Sequence, residues 1–350
     1  MSQLAGDSTV VKADTVLRIN NLHTYFYTDI GVSKALNGVS LDIPAGKVMG
    51  IVGESGCGKS VTALSCLRLL PKSARILKGD ITLFRRTEKG FDPITLTDLH
   101  PMSVEMRKIR GEELAMIFQE PMTSLNPSYT VGDQISEAII LHQNVGKDEA
   151  KNRTIKILDQ VGMANAEGIF ARYPHELSGG MRQRAMIAMG LSCNPAVLFA
   201  DEPTTALDVT TEAQILDLMR DLQAQLGMTI VFITHNLGVV AQMCDNVAVM
   251  YLGRIVEQAG IDSIFYKPQH PYTKALLNSI PHAGSRTRAR LQPIRGVVPD
   301  PYSSIKGCAF HPRCNSFMAG KCDQAVPALT HVEEGHTVRC FLYSDKVEEE

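Results

Sequence analysis

A glycine-rich octapeptide, GESGCGKS at residues 53–60, constrains the fold of this chain more than any other feature. It fits the spacing G-x-x-x-x-G-K-[ST] of a phosphate-binding loop at every position. The apolar run AGKVMGIVG precedes the loop, and KSVTALSCLRLL, with apolar residues at helical spacing, follows it as far as Pro71. This order of buried strand, glycine-rich turn and helix predicts an α/β fold with an anion-binding site at the turn.

Each part of the loop has its own task. Glycines let backbone N–H groups point inward at phosphate oxygens, and the helix directs its positive N-terminal end at the same anion. Lys59 is placed to reach the β- and γ-phosphates of a nucleotide, and Ser60 to ligate Mg²⁺. The expected nucleotide contacts are Gly53, Glu54, Ser55, Gly56, Cys57, Gly58, Lys59, Ser60 and Val61. The alternative is a chance match in a glycine- and serine-rich loop, and the flanking strand and helix argue against it.

Cys57 stands at a variable position of the loop, where its backbone N–H can serve phosphate and its side chain has no required role. A thiol beside a helix N-terminus can have a lowered pKa. We therefore expect Cys57 to be open to alkylation when nucleotide is absent. Cys66 and Cys193 fall on apolar helix faces and Cys244 precedes a strand, so these three thiols are expected in the core.

Two further strand ends carry polar residues. The apolar strand in VLFADEP, residues 197–203, ends in two carboxylates, and ligands bind at the carboxyl ends of parallel strands. Asp201 is placed to support Mg²⁺ through water, and Glu202 to polarise the attacking water as a general base. His235 follows the buried strand TIVFIT and is expected to contact the γ-phosphate. The alternatives are a carboxylate pair that caps the next helix and a hydrogen-bonded structural histidine.

The composition is that of an ordinary globular protein. The chain has 350 residues, 44% hydrophobic and 21% charged, with a net charge of −2, so no global basic field favours nucleic acid. No apolar run approaches the roughly 20 residues of a membrane helix, and the N-terminus lacks the regions of a secretory signal. We expect a cytoplasmic protein whose cysteines are apolar fillers, reactive thiols or metal ligands rather than disulfides.

Hydrophobic periodicity divides the chain into regions. We expect a flexible leader at residues 1–15 and a single domain at residues 16–260, with helical spacing at about 120–175 and α/β alternation on either side. An extension follows at residues 261–350. It is punctuated by proline, then basic, and finally cysteine-rich and short of regular structure over residues 307–343.

The octapeptide LSGGMRQR, residues 177–184, resembles the signature motif of ABC-type ATPases. Ser178, Gly179 and Gly180 open an amphipathic helix, so they offer hydroxyl and N–H donors at a positive helix end. In that family, the phosphate loop of one subunit and the signature motif of the other sandwich ATP across a dimer. A capped helix without a ligand is the alternative interpretation.

The resemblance covers about residues 16–260. It implies a P-loop ABC-type ATPase fold of class α/β, with a mixed sheet core, an antiparallel β subdomain and a helical insertion. It also implies that Gln119 ligates Mg²⁺ and couples to the membrane partner, and that Asp208 bridges the dimer. The aromatic residue that stacks on adenine is matched by Phe26 or its neighbour Tyr25.

Four longer segments narrow the resemblance: FQEPMTSLNP, YPHELSGGMRQR, DEPTTALDVT and HPYTKALLNSIP. They are similar to the oligopeptide/dipeptide importer ATPases that carry an extended C-terminus. This implies a subunit at the cytoplasmic face of the cell membrane, whose ATP-driven dimer closure powers import through two permease subunits. A second ATPase subunit would complete the dimer, as a heterodimer or a homodimer, and an extracytoplasmic solute-binding protein would act indirectly. Nickel, glutathione and oligosaccharide are alternative solutes.

One residue departs from the pattern of these importers. They usually have aspartate after the histidine of the strand TIVFIT, and this chain has Asn236. The amide keeps the size of the side chain and loses its charge. We expect little effect on hydrolysis, because His235 and Glu202 remain.

Half of the eight cysteines lie near the C-terminus, with the spacing C-x5-C-x7-C-x17-C: Cys308, Cys314, Cys322 and Cys340. Thiols gathered in a small segment with little apolar content predict a metal site. The spacing has neither the common zinc knuckle nor the ferredoxin run, so iron–sulfur and zinc both stay open, and a segment that binds no metal is the further alternative. His311, His331 and His336 are further candidate zinc ligands. The pattern GCAFHPRC…KC…VRCF resembles the importer segment that binds a 4Fe-4S cluster, which implies a mainly structural cluster on the four cysteines.

Two other classes of protein fit less well. Soluble ABC-type ATPases that act on DNA or ribosomes usually carry a long coiled-coil insertion or two ATPase units, and this sequence has neither. A metal-dependent nucleic-acid-binding module would need a basic tail surface, for which the candidates are Arg286, Arg288, Arg290 and Arg295. We interpret this basic stretch as a solvated connector and expect no nucleic-acid partner.

Overall fold

The protein combines strands and helices along its chain. The computed structural model describes residues 15–87, 90–120, 124–205, 207–279, 294–303 and 305–348. The strands are β1 (Thr15–Thr28), β2 (Gly31–Pro44), β3 (Val48–Val52), β4 (Ala74–Thr87), β5 (Gly90–Thr95), β6 (Leu114–Ile117), β7 (Val197–Asp201), β8 (Thr229–Thr234), β9 (Asn246–Tyr251), β10 (Arg254–Gly260), β11 (Thr330–Glu333) and β12 (His336–Val338). The helices are α1 (Lys59–Cys66), α2 (Val104–Glu112), α3 (Val131–Gln143), α4 (Lys147–Gln160), α5 (Ala166–Phe170), α6 (Gly179–Leu191), α7 (Val209–Leu226), α8 (Leu237–Met243), α9 (Ile261–Tyr266) and α10 (Pro271–Asn278).

The central sheet is mixed, in the order β11-β12-β10-β9-β3-β8-β7-β6. β3 pairs in parallel with β8 and β9, and β7 with β8 and β6. Every residue of β3, β7 and β8 is buried, as expected for apolar strands that are covered on both faces. Because parallel strands run in one direction, the ends of β3, β7 and β8 meet at the same edge of the sheet.

The predicted antiparallel sheet is present, in the order β2-β1-β4-β5. Leu17 and Leu83 from this sheet share one apolar cluster with Ile51 and Phe199 from the central sheet. The two sheets therefore bury a common core, with α1 between the phosphate loop and β1.

Helix boundaries follow the sequence pattern with one difference. The predicted helical region contains α3, α4 and α5, and α7 ends at Gly227, whose left-handed φ of 64° closes the helix. The helix after the phosphate loop ends at Cys66 rather than running to Pro71. Arg68 adopts a left-handed φ of 54°, which breaks the helical backbone before the proline is reached.

The C-terminal extension is more regular than the sequence predicts. β11 and β12 form a hairpin, and β12 pairs antiparallel with β10, so the extension adds two strands to the central sheet. The hairpin covers the strand edge that β10 would otherwise expose. Arg286, Arg288, Arg290 and residues 1–14 lie outside the described residues. In the described part of the chain, no helix combines the length and apolarity needed to cross a membrane.

A buried carboxylate fastens the extension to the sheet. Glu257 on β10 is 0% exposed. It accepts hydrogen bonds from the backbone N–H groups of Gln269 (2.6 Å) and His270 (2.8 Å), and His336 Nε2 on β12 lies 2.8 Å from its Oε1. These partners from two segments of the extension compensate the cost of removing a carboxylate from water.

We predict that Glu257→Ala lowers the free energy of unfolding by about 3 kcal/mol, because it leaves a buried histidine and two N–H groups without their acceptor. Chemical denaturation of the full chain measures the change. Glu333→Ala on the exposed side of β11 is the matched control and should cost less than about 0.5 kcal/mol. Equal stability of the two variants would contradict the anchoring role of Glu257.

Candidate functional site

The phosphate loop joins β3 to α1 at the carboxyl edge of the sheet. Gly58 has φ 105°, and a Cβ there would lie 2.5 Å from the carbonyl oxygen of Ala35, so a side chain is excluded. Gly58 is also the N-cap of α1, and no side chain caps this helix end. The first-turn N–H groups are therefore available to an anion. Ser55 and Gly56 are exposed at the tip of the loop, and Ser60 and Val61 are half-buried.

Lys59 lies inside the loop. Its side chain is largely buried, and Nζ donates to the carbonyl oxygens of Gly53 (2.8 Å) and Glu54 (3.2 Å). These two acceptors hold the ammonium group at the centre of the ring of backbone that would surround phosphate.

Asp201 ends β7 beside the loop. Its Oδ1 is buried and has no hydrogen-bond partner. Burial raises the pKa of Asp201, while the neighbouring Ser60 hydroxyl and the charge of Lys59 lower it. An unsatisfied carboxylate oxygen near a serine hydroxyl is the oxygen donor set that Mg²⁺ prefers, so these residues fit the predicted cation.

Glu202 brings the other predicted residues together. Gln119 Nε2 and Thr205 Oγ1 each donate to Oε2 at 3.0 Å, and His235 Nδ1 lies 2.8 Å from Oε1. Burial raises the pKa of Glu202, but the hydrogen bonds from His235 and Thr205 and the nearby positive charges hold it below its usual value. The carboxylate is thus ionised at neutral pH and can accept a proton.

The backbone of Glu202 is unusual for a residue with a side chain. Its φ is +45°, and its N–H donates to the carbonyl oxygen of Ile233 at 2.8 Å. Left-handed backbone at a non-glycine residue costs about 1–2 kcal/mol and persists where the surroundings enforce it. The bond to β8 enforces it here and turns the carboxylate towards His235.

The signature motif and Asp208 lie on the surface. Ser178 caps α6 by accepting from the Met181 N–H (3.4 Å), and Ser178 and Gly179 are exposed. Asp208 caps α7, where it accepts from the N–H (2.9 Å) and the hydroxyl (2.7 Å) of Thr211. The backbone bond from Thr211 is the main cause that lowers the pKa of Asp208. A Cβ at Gly180 would lie 2.8 Å from Thr211 Cγ2, so the two helix N-termini are neighbours.

The structure separates the two candidate aromatic residues. Thr24 is buried, and its Oγ1 lies 3.1 Å from Ser65 Oγ on α1. Side chains alternate along a strand, so Phe26 shares the α1 face of β1 and Tyr25 points away. The Tyr25 hydroxyl donates to Asn37 Oδ1 at 3.2 Å on the opposite face.

The expected reactivity of Cys57 is wrong. The thiol is 3% exposed, and burial raises its pKa more than the charge of Lys59 lowers it. Its sulfur turns towards Gly53, whose Cβ, if present, would lie 2.8 Å away. The side chain points into the core, and this burial raises the pKa of the thiol more than the nearby helix N-terminus can lower it. Cys66, Cys193 and Cys244 are buried as predicted.

The four C-terminal thiols lie near one another. The pKa of Cys308 is raised to about 12 and that of Cys340 to about 11, mainly by burial and in smaller part by the neighbouring cysteines. The backbone N–H of Cys308 donates to the carbonyl oxygen of Cys322 at 2.8 Å. Four thiols fit an iron–sulfur or zinc donor set. Among the described residues, however, no group of three or more His, Cys, Asp or Glu stands in a metal-binding arrangement. His336 is engaged with Glu257 instead.

Sequence reasoning missed three contacts around the site. Asn236 caps α8 by accepting from the N–H groups of Gly238 and Val239, which explains why an amide can replace aspartate there. Tyr272 and Arg313, both from the extension, contact Glu54 of the phosphate loop. The only sequence signal for them was their position inside the segments that resemble importer ATPases.

Comparisons with known proteins identify the family of this chain. Residues 36–205 match the family described as "ABC transporter", and residues 256–322 match "Oligopeptide/dipeptide transporter, C-terminal region". The chain is 48% identical to the oligopeptide transport ATP-binding protein AppD of Bacillus subtilis, over 95% of this chain and 98% of that one. It is 47% identical to the dipeptide transport ATP-binding protein DppD of the same organism, over 96% and 97%.

A solved structure has the same fold. The dimeric, post-hydrolysis ATP-binding cassette MJ0796 bound to ADP and Pi aligns with a TM-score of 0.60 and 25% identity, covering 70% of this chain and 98% of that one. Fold and site thus define an ABC-type ATPase. The chain belongs to the ATP-binding subunits of the oligopeptide/dipeptide ABC transporter family, and it hydrolyses ATP to power transport.

The buried position of Cys57 leads to a labelling prediction. Iodoacetamide at neutral pH should leave Cys57 unmodified in the native, nucleotide-free protein, because the thiol is protonated and inaccessible. Peptide mapping by mass spectrometry measures the labelling, and the same protein in guanidinium chloride is the control, in which Cys57 should react fully. Native labelling as fast as that of the denatured chain would contradict this.

Proposed function

We propose that the chain is the motor subunit of an importer for oligopeptides or dipeptides, bound at the cytoplasmic face of the cell membrane beside two permease subunits. The observation that carries the mechanism is the convergence of Gln119, Thr205 and His235 on the carboxylate of Glu202. The names of the relatives, which transport oligopeptides and dipeptides, support the solute class. We place the ATPase domain at residues 16–260 and the extension at residues 261–350.

The phosphate loop binds the nucleotide. Lys59 exchanges the carbonyl oxygens of Gly53 and Glu54 for the β- and γ-phosphate oxygens, and the uncapped N–H groups of α1 bind the same anion. Ser60, Gln119 and Asp201 would hold Mg²⁺, which when bound neutralises charge that develops on the phosphate oxygens. Asp201 Oδ1, unpaired and buried, would then acquire a partner.

Glu202 is the general base. Its Oε2 accepts hydrogen bonds from Gln119 and Thr205, and with Gln119 at the cation site one lone pair of Oε2 would be open to a proton from the attacking water. His235 holds Oε1 and keeps the carboxylate directed at the γ-phosphate. The low pKa of Glu202 keeps it ionised at neutral pH, before the proton arrives.

Phe26 is the adenine-stacking residue in this proposal. It lies on the face of β1 that is turned towards α1, whereas the Tyr25 hydroxyl is bound to Asn37 on the other face. An aromatic ring at that position covers the base while the loop binds the phosphates.

A partner ATPase completes the site. Ser178, Gly179 and Asp208 lie on the exposed surface, and we propose that they contact the nucleotide held by the second subunit. A heterodimer with a similar subunit is the preferred arrangement, with a homodimer as the alternative. ATP then favours the closed dimer, because it contacts both halves only in that state. The solute-binding protein acts through the permeases.

We also propose that Cys308, Cys314, Cys322 and Cys340 bind a 4Fe-4S cluster, with zinc as the alternative. Besides burial, neighbouring cysteines raise the pKa values of Cys308, Cys314 and Cys340, and this proximity of the thiols supports a shared site. The cluster would hold the loop-rich segment of the extension in place and takes no part in hydrolysis.

We predict that Glu202→Gln retains ATP binding and lowers kcat at least about 100-fold, because an amide cannot accept the proton. Phosphate release and uptake of a labelled dipeptide by vesicles that contain the complete transporter measure the two effects. Glu167→Gln in the helical region is the matched control. Normal hydrolysis by Glu202→Gln would refute the general base. Uptake of nickel, glutathione or an oligosaccharide instead of peptide would refute the solute alone.

The cluster proposal is tested on protein purified without oxygen. It should be brown and contain about four iron and four sulfide per chain. Cys314→Ser should lose the colour, whereas Cys193→Ser, a buried thiol outside the segment, should keep it. A colourless protein with one zinc per chain would assign the site to zinc.

A further inference from the structure

We propose that Arg313 of the C-terminal extension is a positioning residue for nucleotide binding, which holds the phosphate loop through Glu54. The inference rests on the assignment of residues 53–60 as the nucleotide site and adds a residue far away in sequence to it. It also gives the extension a role in ATP affinity that is separate from any metal.

The contact is a bidentate ion pair. Arg313 Nη1 donates to Glu54 Oε2 at 2.6 Å, and Nη2 donates to Oε1 at 3.0 Å. Fork-to-fork pairs of this kind are stronger and more directional than a single bond from lysine. The Arg313 side chain is 4% exposed and the Glu54 side chain 23%, so solvent and salt screen the pair less than they would a pair on the open surface.

The guanidinium is itself fixed on its other sides. Nε donates to the carbonyl oxygen of Arg295 at 2.9 Å, and Nη1 also reaches the Tyr251 hydroxyl at 3.4 Å. The Arg313 Cζ lies 5.8 Å from the centroid of the Tyr251 ring. With both Nη atoms directed at Glu54 and the group buried, Arg313 acts through the loop and not on the nucleotide directly.

A second residue of the extension, Tyr272, binds the backbone of Glu54. The Glu54 N–H donates to the hydroxyl of Tyr272, on α10, at 2.9 Å. Tyr272 is fully buried and packs against Tyr251 and Phe310, with ring centroids 4.7 and 5.3 Å away. The Glu54 carbonyl oxygen, in turn, accepts from Lys59.

All three polar parts of Glu54 therefore have assigned partners. Its carboxylate is held by Arg313, its N–H by Tyr272, and its carbonyl by the lysine that binds phosphate. Arg313 closes the short helix His311–Arg313 and directly precedes Cys314, so its side chain links the cysteine-rich segment directly to the phosphate loop. Loss of the Arg313–Glu54 ion pair would let the loop change its conformation, so that Lys59 and the α1 N–H groups would no longer be directed at phosphate.

The test is a double-mutant cycle on the full-length chain, read as the Kd for a fluorescent ATP analogue without hydrolysis. Arg313→Gln and Glu54→Gln should each weaken binding about tenfold, and the double variant should be no weaker than either single one. At saturating ATP, kcat should change less than KM. Arg313→Lys should recover part of the affinity, because it restores the charge but not the fork. Lys306→Gln, an exposed lysine of the same extension, should bind like the unaltered protein.

The outcomes separate the two proposals. If Lys59→Ala binds nucleotide normally, the loop is not the site and the proposed function fails. If Lys59→Ala abolishes binding but Glu54→Gln binds with unaltered affinity, the site stands and the positioning role of Arg313 is refuted. Additive losses in the double variant would also refute it. Should Arg313→Gln fail to fold, the loop-side variant Glu54→Gln removes the same ion pair without altering the extension and decides the question.

Discussion

The parallel pairing of β3, β7 and β8 is the constraint on which the rest of the site depends. Because these three buried strands run in one direction, their carboxyl ends all lie at one edge of the sheet. The phosphate loop, the carboxylates after β7 and His235 after β8 meet there for that reason. The second sheet, the helical region and the extension are then arranged around this edge.

The Glu202 carboxylate connects several of the groups that meet at this edge. It is tied to Gln119, Thr205 and His235 at once, and its left-handed backbone is held by a bond to β8. A single carboxylate thus contacts groups that follow three different strands, β6, β7 and β8. A motion of Gln119, the residue that the family resemblance connects to the membrane partner, would therefore reach the proposed general base through one hydrogen bond.

Much of this could be predicted from short-range patterns. The loop at residues 53–60 sits between the predicted strand and helix, and the signature helix begins at Ser178 as its capping chemistry requires. Side-chain direction could not be predicted in the same way. Cys57 was expected to be reactive because of its helix N-terminus, but its sulfur points into the core. Likewise, the two candidate aromatic residues differ in the face of β1 on which they lie: Phe26 shares the face of Thr24, which contacts α1, and Tyr25 lies on the other face.

The sequence by itself determined which residues are candidates for the nucleotide site, since the glycine spacing, the strand-end acids and the signature motif are local features that carry their own geometry. Tertiary structure decided which distant groups meet them. Arg313 lies 259 positions from Glu54, and His336 lies 79 positions from Glu257. No periodicity links such pairs, because they are set by how the extension adds its hairpin to β10 and folds back over the sheet edge. The four C-terminal cysteines belong to the same class: their spacing suggested a metal, whereas their mutual placement depends on the packing of the whole extension.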